Sequence, residues 1–359
     1  GIIGHEDFSI LVTSESIVFF ILTVCIYSYD ISGVTKIIAA ETSDGVKSVI
    51  NEVLWSRSLL FLLCLASAAI FGSLILEEKL VNLILIWMLV PFGYILQTNF
   101  YYQAIQNNAI ISILIFTSRV ISLTILLYYL YEIEGNNVEF IAFIISSSFA
   151  LSGFLSFIYI KYKTRLKLTR TKTTDLIKGY KEGLPILVSN LSVGLFRGSN
   201  IIILSLTSSS SDVSIYALAE KFIKALQSTT RPLVDWAFPR LTYKNDIKKL
   251  YIEIKIYYKF ILFLIIPILL VTNLIMYAML ISELIQVITF KIYLLVSIMM
   301  PCVAFGIYNY IFGLIGLNIS GHSKGFLYDV TMTGLFSIFI IIVLASTFDS
   351  IGASFGYVF

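Results

Sequence analysis

Ten stretches of about 20 mostly apolar residues follow one another along this chain, each long enough to cross the hydrocarbon core of a bilayer as a helix. They cover 8–29, 55–75, 80–102, 109–131, 139–160, 183–206, 213–237, 257–280, 293–316 and 326–346, and a further run begins near Ile351. Backbone polar groups inside lipid must be satisfied within the span, so an all-α, polytopic membrane protein is predicted. Of 359 residues, 58% are hydrophobic and 13% are charged, against about 25% charged in a soluble domain. A soluble enzyme, a disordered chain and a nucleic-acid-binding module are excluded. Cys25, Cys64 and Cys302 lie far apart in apolar runs, with no CxxC spacing. His5 and His322 are too few for a zinc site. With no phosphate-cradling glycine loop, HExxH or nucleophile elbow, no catalytic residue, metal or cofactor is expected.

Lys and Arg in the loops set the orientation. The 161–182 segment holds eight: Lys161, Lys163, Arg165, Lys167, Arg170, Lys172, Lys178 and Lys181. The 238–259 segment adds Arg240, Lys244, Lys248, Lys249, Lys255 and Lys259. Two spans separate these segments, so both belong on the cytoplasmic side, with Lys36, Lys47 and Lys324. The other side carries mainly Lys79 and Lys291 among the acids Glu77, Glu78, Glu132, Glu134, Glu139 and Asp212. This places Gly1 outside. A start of seven residues outside the membrane points to a further helix upstream of Gly1.

Shifting the sequence by 205 residues sets Asp7, Ser9, Ile10, Glu15 and Asp30 on Asp212, Ser214, Ile215, Glu220 and Asp235, five identities in 24 positions. Three of them are acids, rare in such sequence. This reads as an internal repeat of two six-helix lobes with parallel insertion, related by a pseudo-twofold axis along the membrane normal. The N-terminal lobe is expected over 1–160, a basic cytoplasmic linker over 161–182 and the C-terminal lobe over 183–359.

The run 213–237 carries charge that lipid does not tolerate. At 100° per residue, Glu220, Lys224, Gln227, Arg231 and Asp235 share one stripe, flanked by Lys221. A charge at the bilayer centre costs about 3 kcal/mol on insertion scales, so the stripe must face protein or water. Glu220–Lys224 and Arg231–Asp235 also have the i,i+4 spacing of salt bridges, which leaves a neutralised seam between helices as the alternative to a wet cavity. Arg119 is the eleventh residue of 109–131, and Arg197 the fifteenth of 183–206, with Asn190 and Asn200 on its face. Neither arginine has an acid within one turn on its own helix. Arg119, Arg197 and Lys224 therefore suggest a cationic cavity suited to an anion, phosphate above all, which guanidinium binds bidentately. Glu15 is the one acid deep in the N-terminal half.

Weaker features complete the pattern. Arg57, at the cytoplasmic end of its run, is expected to snorkel to lipid head groups. Pro91, Pro267 and Pro301 predict kinks. Tyr94, Gln97, Asn99, Tyr101, Tyr102 and Gln103 suggest interface anchoring, with a sugar-contacting wall as the other reading. Serines 146–148, 152 and 156 suggest close helix packing.

The segments 1–39 and 211–241 carry a family resemblance. Gly1–Ile10, GIIGHEDFSI, is similar to the LG…E.FG.Y opening of the second helix of polysaccharide flippases. Tyr29–Ala39, YDISGVTKIIA, resembles their DFG…SGT+.IA stretch, with Ile31-Ser32 in place of Phe-Gly. Val213–Phe222, VSIYALAEKF, is similar to VG.Y..AEK, and Pro239-Arg240-Leu241 to the closing PRL. The chain thus resembles the Wzx-type flippases, in the superfamily that also holds the MATE drug exporters. The resemblance implies twelve helices in two lobes, of which helix 1 and most of helix 12 are missing here. It implies transport of undecaprenyl-diphosphate-linked oligosaccharide units across the bacterial cytoplasmic (inner) membrane by a multi-pass, non-enzymatic protein. Arg119, Arg197, Lys221, Lys224 and Arg231 would then hold the diphosphate, and Glu15, Asn190, Asn200, Glu220, Gln227 and Asp235 would line the cavity or couple an ion. Expected partners are the lipid-linked oligosaccharide, membrane lipid, H+ or Na+, a polysaccharide polymerase and a chain-length regulator. The rival readings are an ion-coupled small-molecule exporter and a membrane-embedded polymerase or glycosyltransferase.

Overall fold

The structure, a computed structural model, describes residues 3–242, 247–282, 289–309, 311–312 and 323–358; within these, the side chains of 195–197, 231–242, 247–250, 323–324, 326–327 and 330 lie outside the described residues. The described chain is helical throughout. In order come α1 (His5–Ile26), α2 (Tyr29–Ile38), α3 (Ser43–Ile75), α4 (Glu78–Trp87), α5 (Leu89–Leu96), α6 (Asn99–Ala104), α7 (Asn108–Tyr131) and α8 (Val138–Thr164). Then follow α9 (Thr173–Thr207), α10 (Ser210–Thr242), α11 (Ile247–Ser282), α12 (Phe290–Met299), α13 (Pro301–Tyr308) and α14 (Ser323–Val358). Among the described residues eight spans are long and apolar enough to cross a membrane, nine if the two stretches of α9 count as one. α10 falls short only because of its polar stripe. Each run read from the sequence falls, over its described residues, on one of these helices or on consecutive ones, 80–102 covering α4, α5 and α6.

The chain forms two compact units, residues 2–194 and 195–359 apart from Gly1. In the first, α5 lies closely on α8, and α1 packs on α3, α4 and α5. Backbone approach at the α5–α8 crossing is very close: a Cβ on Gly93 would meet the Phe149 carbonyl, and one on Gly153 would meet the Gly93 carbonyl. Small residues at such a crossing let the two backbones touch. The α8 serines continue the same face. Gln97 donates to Ser152 Oγ at 2.6 Å, and Ser156 donates to the Gln97 carbonyl at 2.6 Å. The second bond holds the chain where Thr98 takes a left-handed conformation, φ 46°, between α5 and α6.

This crossing corrects one expectation. Gln97, Tyr101 and Tyr102 are buried, with Phe100 beside them, and Tyr102 donates to the Ser156 carbonyl at 3.4 Å. They form part of the packed core rather than an interface belt or a sugar-contacting wall, because the break at Thr98 turns this half of the run inward.

In the second unit α10 packs on α11, α12, α13 and α14. Several features repeat those of the first unit. Asp7, in the first turn of α1, pairs with Lys79 at the head of α4 at 2.6 Å; Asp212, in the first turn of α10, pairs with Lys291 at the head of α12 at 2.7 Å. α4 gives way to α5 at Met88, and α12 to α13 at Met300, just before Pro91 and at Pro301. Proline has no N–H for the i−4 carbonyl and clashes with it, so each span is divided near its middle. α14 contains a break at Asp349, φ 51°, after which Gly352 and Gly356 lie against Leu344 and Ile341. The chain therefore reverses at Asp349 and starts another helix where the apolar run near Ile351 was expected.

Candidate functional site

α10 begins with a serine N-cap: Ser209 Oγ accepts from the Asp212 N–H at 3.2 Å and donates to the Asp212 carboxylate at 2.8 Å. The periodicity of Val213, Tyr216, Ala217, Glu220 and Ile223 then turns one face into the second unit. Glu220 lies on that buried face, 2% exposed, while Lys224 is 48% exposed and bridges to its Oε2 at 2.9 Å. One turn before Glu220, the Tyr216 hydroxyl receives the Asn200 amide at 2.8 Å, with both side chains buried. One turn beyond Lys224, Gln227 donates to the Cys302 carbonyl at 3.4 Å. Lys221 is exposed. The stripe is thus divided: Glu220 and Gln227 enter helix packing, and Lys221 and Lys224 keep their charge toward the outside of the unit. The side chains of Arg197, Arg231 and Asp235 lie outside the described residues.

Arg119 of α7 is held in the first unit by α8. Its guanidinium donates to Ser148 Oγ at 2.8 Å and lies 3.4 Å from the centroid of the Phe149 ring. Phe149 is itself fixed by Phe19 of α1 and Tyr94 of α5, at ring distances of 6.3 and 5.7 Å. Glu15 of α1 and Tyr94 lie within electrostatic reach of Arg119. A cation over an aromatic face is stabilised by about 2 kcal/mol when desolvated, which offsets part of the cost of burial and leaves guanidinium hydrogens for other acceptors. Asn190 of α9 donates to the Tyr27 carbonyl at 3.4 Å, at the elbow between α1 and α2 where Tyr27 has φ 59°. Its role there is to satisfy a bent backbone.

Arg57 departs from expectation. It is 1% exposed, its Nη2 donates to Asp30 Oδ1 at 2.6 Å, and its guanidinium stands 5.5 Å from the centroid of Phe100. It therefore does not snorkel. α2 is drawn onto α3 by three polar contacts, Arg57–Asp30, Lys36–Glu52 at 2.6 Å and the Tyr29 hydroxyl to Ser56 Oγ at 2.9 Å. That packing closes over the arginine before its head can reach the interface. The available signal was the opposite charge of Asp30 and Arg57 at the adjoining ends of the apolar runs 8–29 and 55–75.

Comparisons with known proteins identify the family and the fold. Over 242 residues, 67% of this chain and 60% of the relative, the sequence is 21% identical to a protein of Shigella dysenteriae named "Putative O-antigen transporter". It is 20% identical over 245 residues, 67% of this chain and 58% of the relative, to a protein of the same name from Escherichia coli strain K12. The chain covers about three-fifths of the length of these curated relatives. Among solved structures it resembles an inward-facing multidrug resistance MATE family transporter of the MOP superfamily, with a TM-score of 0.66 and 15% identity over 98% of this chain and 89% of that one. It also resembles a eukaryotic MATE transporter, with a TM-score of 0.51 and 15% identity over 99% and 82%. The model of the family described as polysaccharide biosynthesis protein matches residues 1–244, more than half of the sequence. The chain therefore belongs to the polysaccharide biosynthesis protein family, as its residues 1–39 and 211–241 had implied.

Proposed function

We propose that this protein moves an oligosaccharide linked to undecaprenyl diphosphate across the bacterial cytoplasmic membrane, as a transporter rather than an enzyme. In this reading Arg119, Arg197, Lys221, Lys224 and Arg231 hold the diphosphate while alternating access exposes the site to one face and then the other. The lipid tail stays in the bilayer, and only the charged head group and its sugars need the polar route. The observation that carries the reading is Arg119. Among the described residues its contacts are a hydroxyl and an aromatic ring rather than a bonded carboxylate, so it retains charge and donors for an anion. The relatives named as O-antigen transporters support the substrate class, and the fold supports transport. In this reading Glu15 and Glu220 would couple H+ or Na+, and a polymerase and a chain-length regulator would receive the product.

The test is export of surface polysaccharide in cells that depend on this protein, with membrane protein level measured in parallel. Arg119→Glu should abolish export at normal protein level, and Arg119→Lys should retain part of it, since charge survives and the bidentate fork is lost. Full export by a well-expressed Arg119→Glu variant would refute the role of the cation. Drug efflux with no effect on surface glycan would instead favour an ion-coupled small-molecule exporter, the reading that the MATE likeness keeps open.

A further inference from the structure

The basic segment after α8 is ordered in a way that its charge alone does not require. α8 runs to Thr164 and α9 starts at Thr173, so the stretch between them is 165–172, Arg-Leu-Lys-Leu-Thr-Arg-Thr-Lys. Arg165 closes α8 in a left-handed conformation, φ 51°, with the Leu166 N–H returning to the Lys161 carbonyl at 3.1 Å. Leu166 is buried in the core cluster of the first unit that holds Ile50, Tyr102 and Ile160. Two side chains one turn apart on α3 then grip the backbone of the stretch. Asn51 donates to the Lys167 carbonyl at 3.0 Å and to Thr169 Oγ1 at 3.2 Å, and accepts from the Thr169 N–H at 3.4 Å. The Trp55 indole donates to the Thr169 carbonyl at 2.8 Å.

Held this way, the stretch presents its cations outward. Lys161, Lys163, Arg165, Lys167, Arg170 and Lys172 are all exposed, and so are Tyr162 and Leu168 among them. The acids of this region, Asp175 and Glu182, lie beyond it on α9, and Glu182 faces Lys178 at 3.9 Å. Trp55 is itself partly exposed at the head of its span, the depth at which amphipathic indoles sit. A signal that only orients the chain during insertion needs positive charge and no folded position. Fixed cations interleaved with exposed apolar side chains, at the end of a span, match the chemistry of a phospholipid surface, where phosphodiester oxygens lie above acyl chains.

We propose that residues 161–172 form a preformed docking surface for the anionic phospholipid headgroups of the leaflet on which they lie. The surface binds phosphodiesters presented by the bilayer and keeps α3, α8 and the start of α9 in register with it. This does not depend on the transport reading above, and it assigns the segment a partner other than the transported substrate.

The test uses the full chain in bilayer nanodiscs of phosphatidylcholine with and without phosphatidylglycerol. Amide hydrogen exchange of peptides over 161–176 should slow by about fivefold or more when phosphatidylglycerol is present, the effect expected where several basic residues near the surface each add attraction. High salt should erase the difference, and excess inorganic phosphate should leave it in place, because the bilayer presents the ligand. Equal exchange in the two discs would overturn the proposal, and displacement by inorganic phosphate would assign the surface to a free anion instead. In native mass spectrometry, a variant with Lys161→Gln, Lys163→Gln, Arg165→Gln, Lys167→Gln, Arg170→Gln and Lys172→Gln should lose its preference for phosphatidylglycerol over phosphatidylcholine. The combination Asn51→Ala and Trp55→Phe, which keeps every charge but frees the backbone, should weaken that preference. A preference unchanged in the freed variant would reduce the segment to simple charge and refute the role of its fixed position.

Discussion

The Arg57–Asp30 pair makes a counterintuitive prediction: changing its exposed member should harm the protein more than changing its buried member. Arg57 is 1% exposed and Asp30 49%. Replacing Asp30 by alanine leaves a guanidinium enclosed between α2, α3 and α6 with its carboxylate gone, and Phe100 at 5.5 Å as its remaining aromatic partner. Stranding a buried charge costs about 3–5 kcal/mol. Replacing Arg57 by methionine keeps most of the volume and leaves Asp30, which water reaches. The loss is then about one charged hydrogen bond, roughly 1.5–3 kcal/mol. The double variant Asp30→Ala/Arg57→Met removes the stranded charge and should be more stable than Asp30→Ala alone. A double-mutant cycle should show coupling of about 1–3 kcal/mol, about a factor of 5 to 150 in the unfolding equilibrium. Unfolding in mixed detergent micelles, titrated with a denaturing detergent and followed by circular dichroism, measures all four proteins. Additive effects, or an Asp30→Ala protein as stable as Arg57→Met, would refute the argument that burial of the arginine governs the pair.

Other outcomes follow from single contacts. Gly93→Ala or Gly153→Ala should separate α5 from α8 at their backbone crossing and cost about 1–3 kcal/mol as overpacking, seen as reduced yield of folded protein; wild-type yield would show that the crossing yields freely. Asp7→Asn should change stability by less than about 1 kcal/mol, since it breaks an exposed pair with Lys79. Asp212→Asn should cost more, because Asp212 is largely buried and also receives Ser209 and Ser350. The thermal midpoints of the two variants check that order. A cysteine placed at 170 should react with an impermeant reagent only from the cytoplasm, and one at 135 only from outside. Labelling of both from one side would overturn the orientation.

Spans, and with them the fold class, were legible because lipid imposes the same demand on every segment that crosses it: about 20 apolar residues with internally satisfied backbone. α7, α8 and α11 lie where the apolar runs lie, and the family resemblance rested on short stretches at the heads and ends of two helices. The positions at which spans break were only half legible. Pro91 and Pro301 mark two divisions, but nothing in Thr98 or Asp349 announces a left-handed backbone, and Pro267 lies inside an unbroken α11. Those conformations are held by neighbours such as Ser156, which is distant in sequence.

The i,i+4 spacing of Glu220 and Lys224 was legible as a pair, and the structure bridges them at 2.9 Å; partners that come from other helices were not legible. The wheel placed Glu220, Lys224 and Gln227 on one stripe; in the structure the carboxylate of Glu220 is buried and the ammonium that bridges to it is half exposed. Arg119 was found by its depth alone, because the cost of a charge in lipid depends on position along the helix. Its partners Ser148 and Phe149 come from another helix, and no spacing along the chain encodes that contact. Arg57 was misassigned for the same reason. Its distance from the end of the span was plain in the sequence, but the fold of α2 back onto α3 decided whether the guanidinium met water or Asp30. The sequence by itself determined which segments lie in the membrane and how much charge goes with them, through local free energies of transfer. The tertiary structure decided which of the remaining charges, Arg57 and Arg119 among them, are neutralised and which stay available to a ligand, because that depends on atoms of other helices brought into contact by packing.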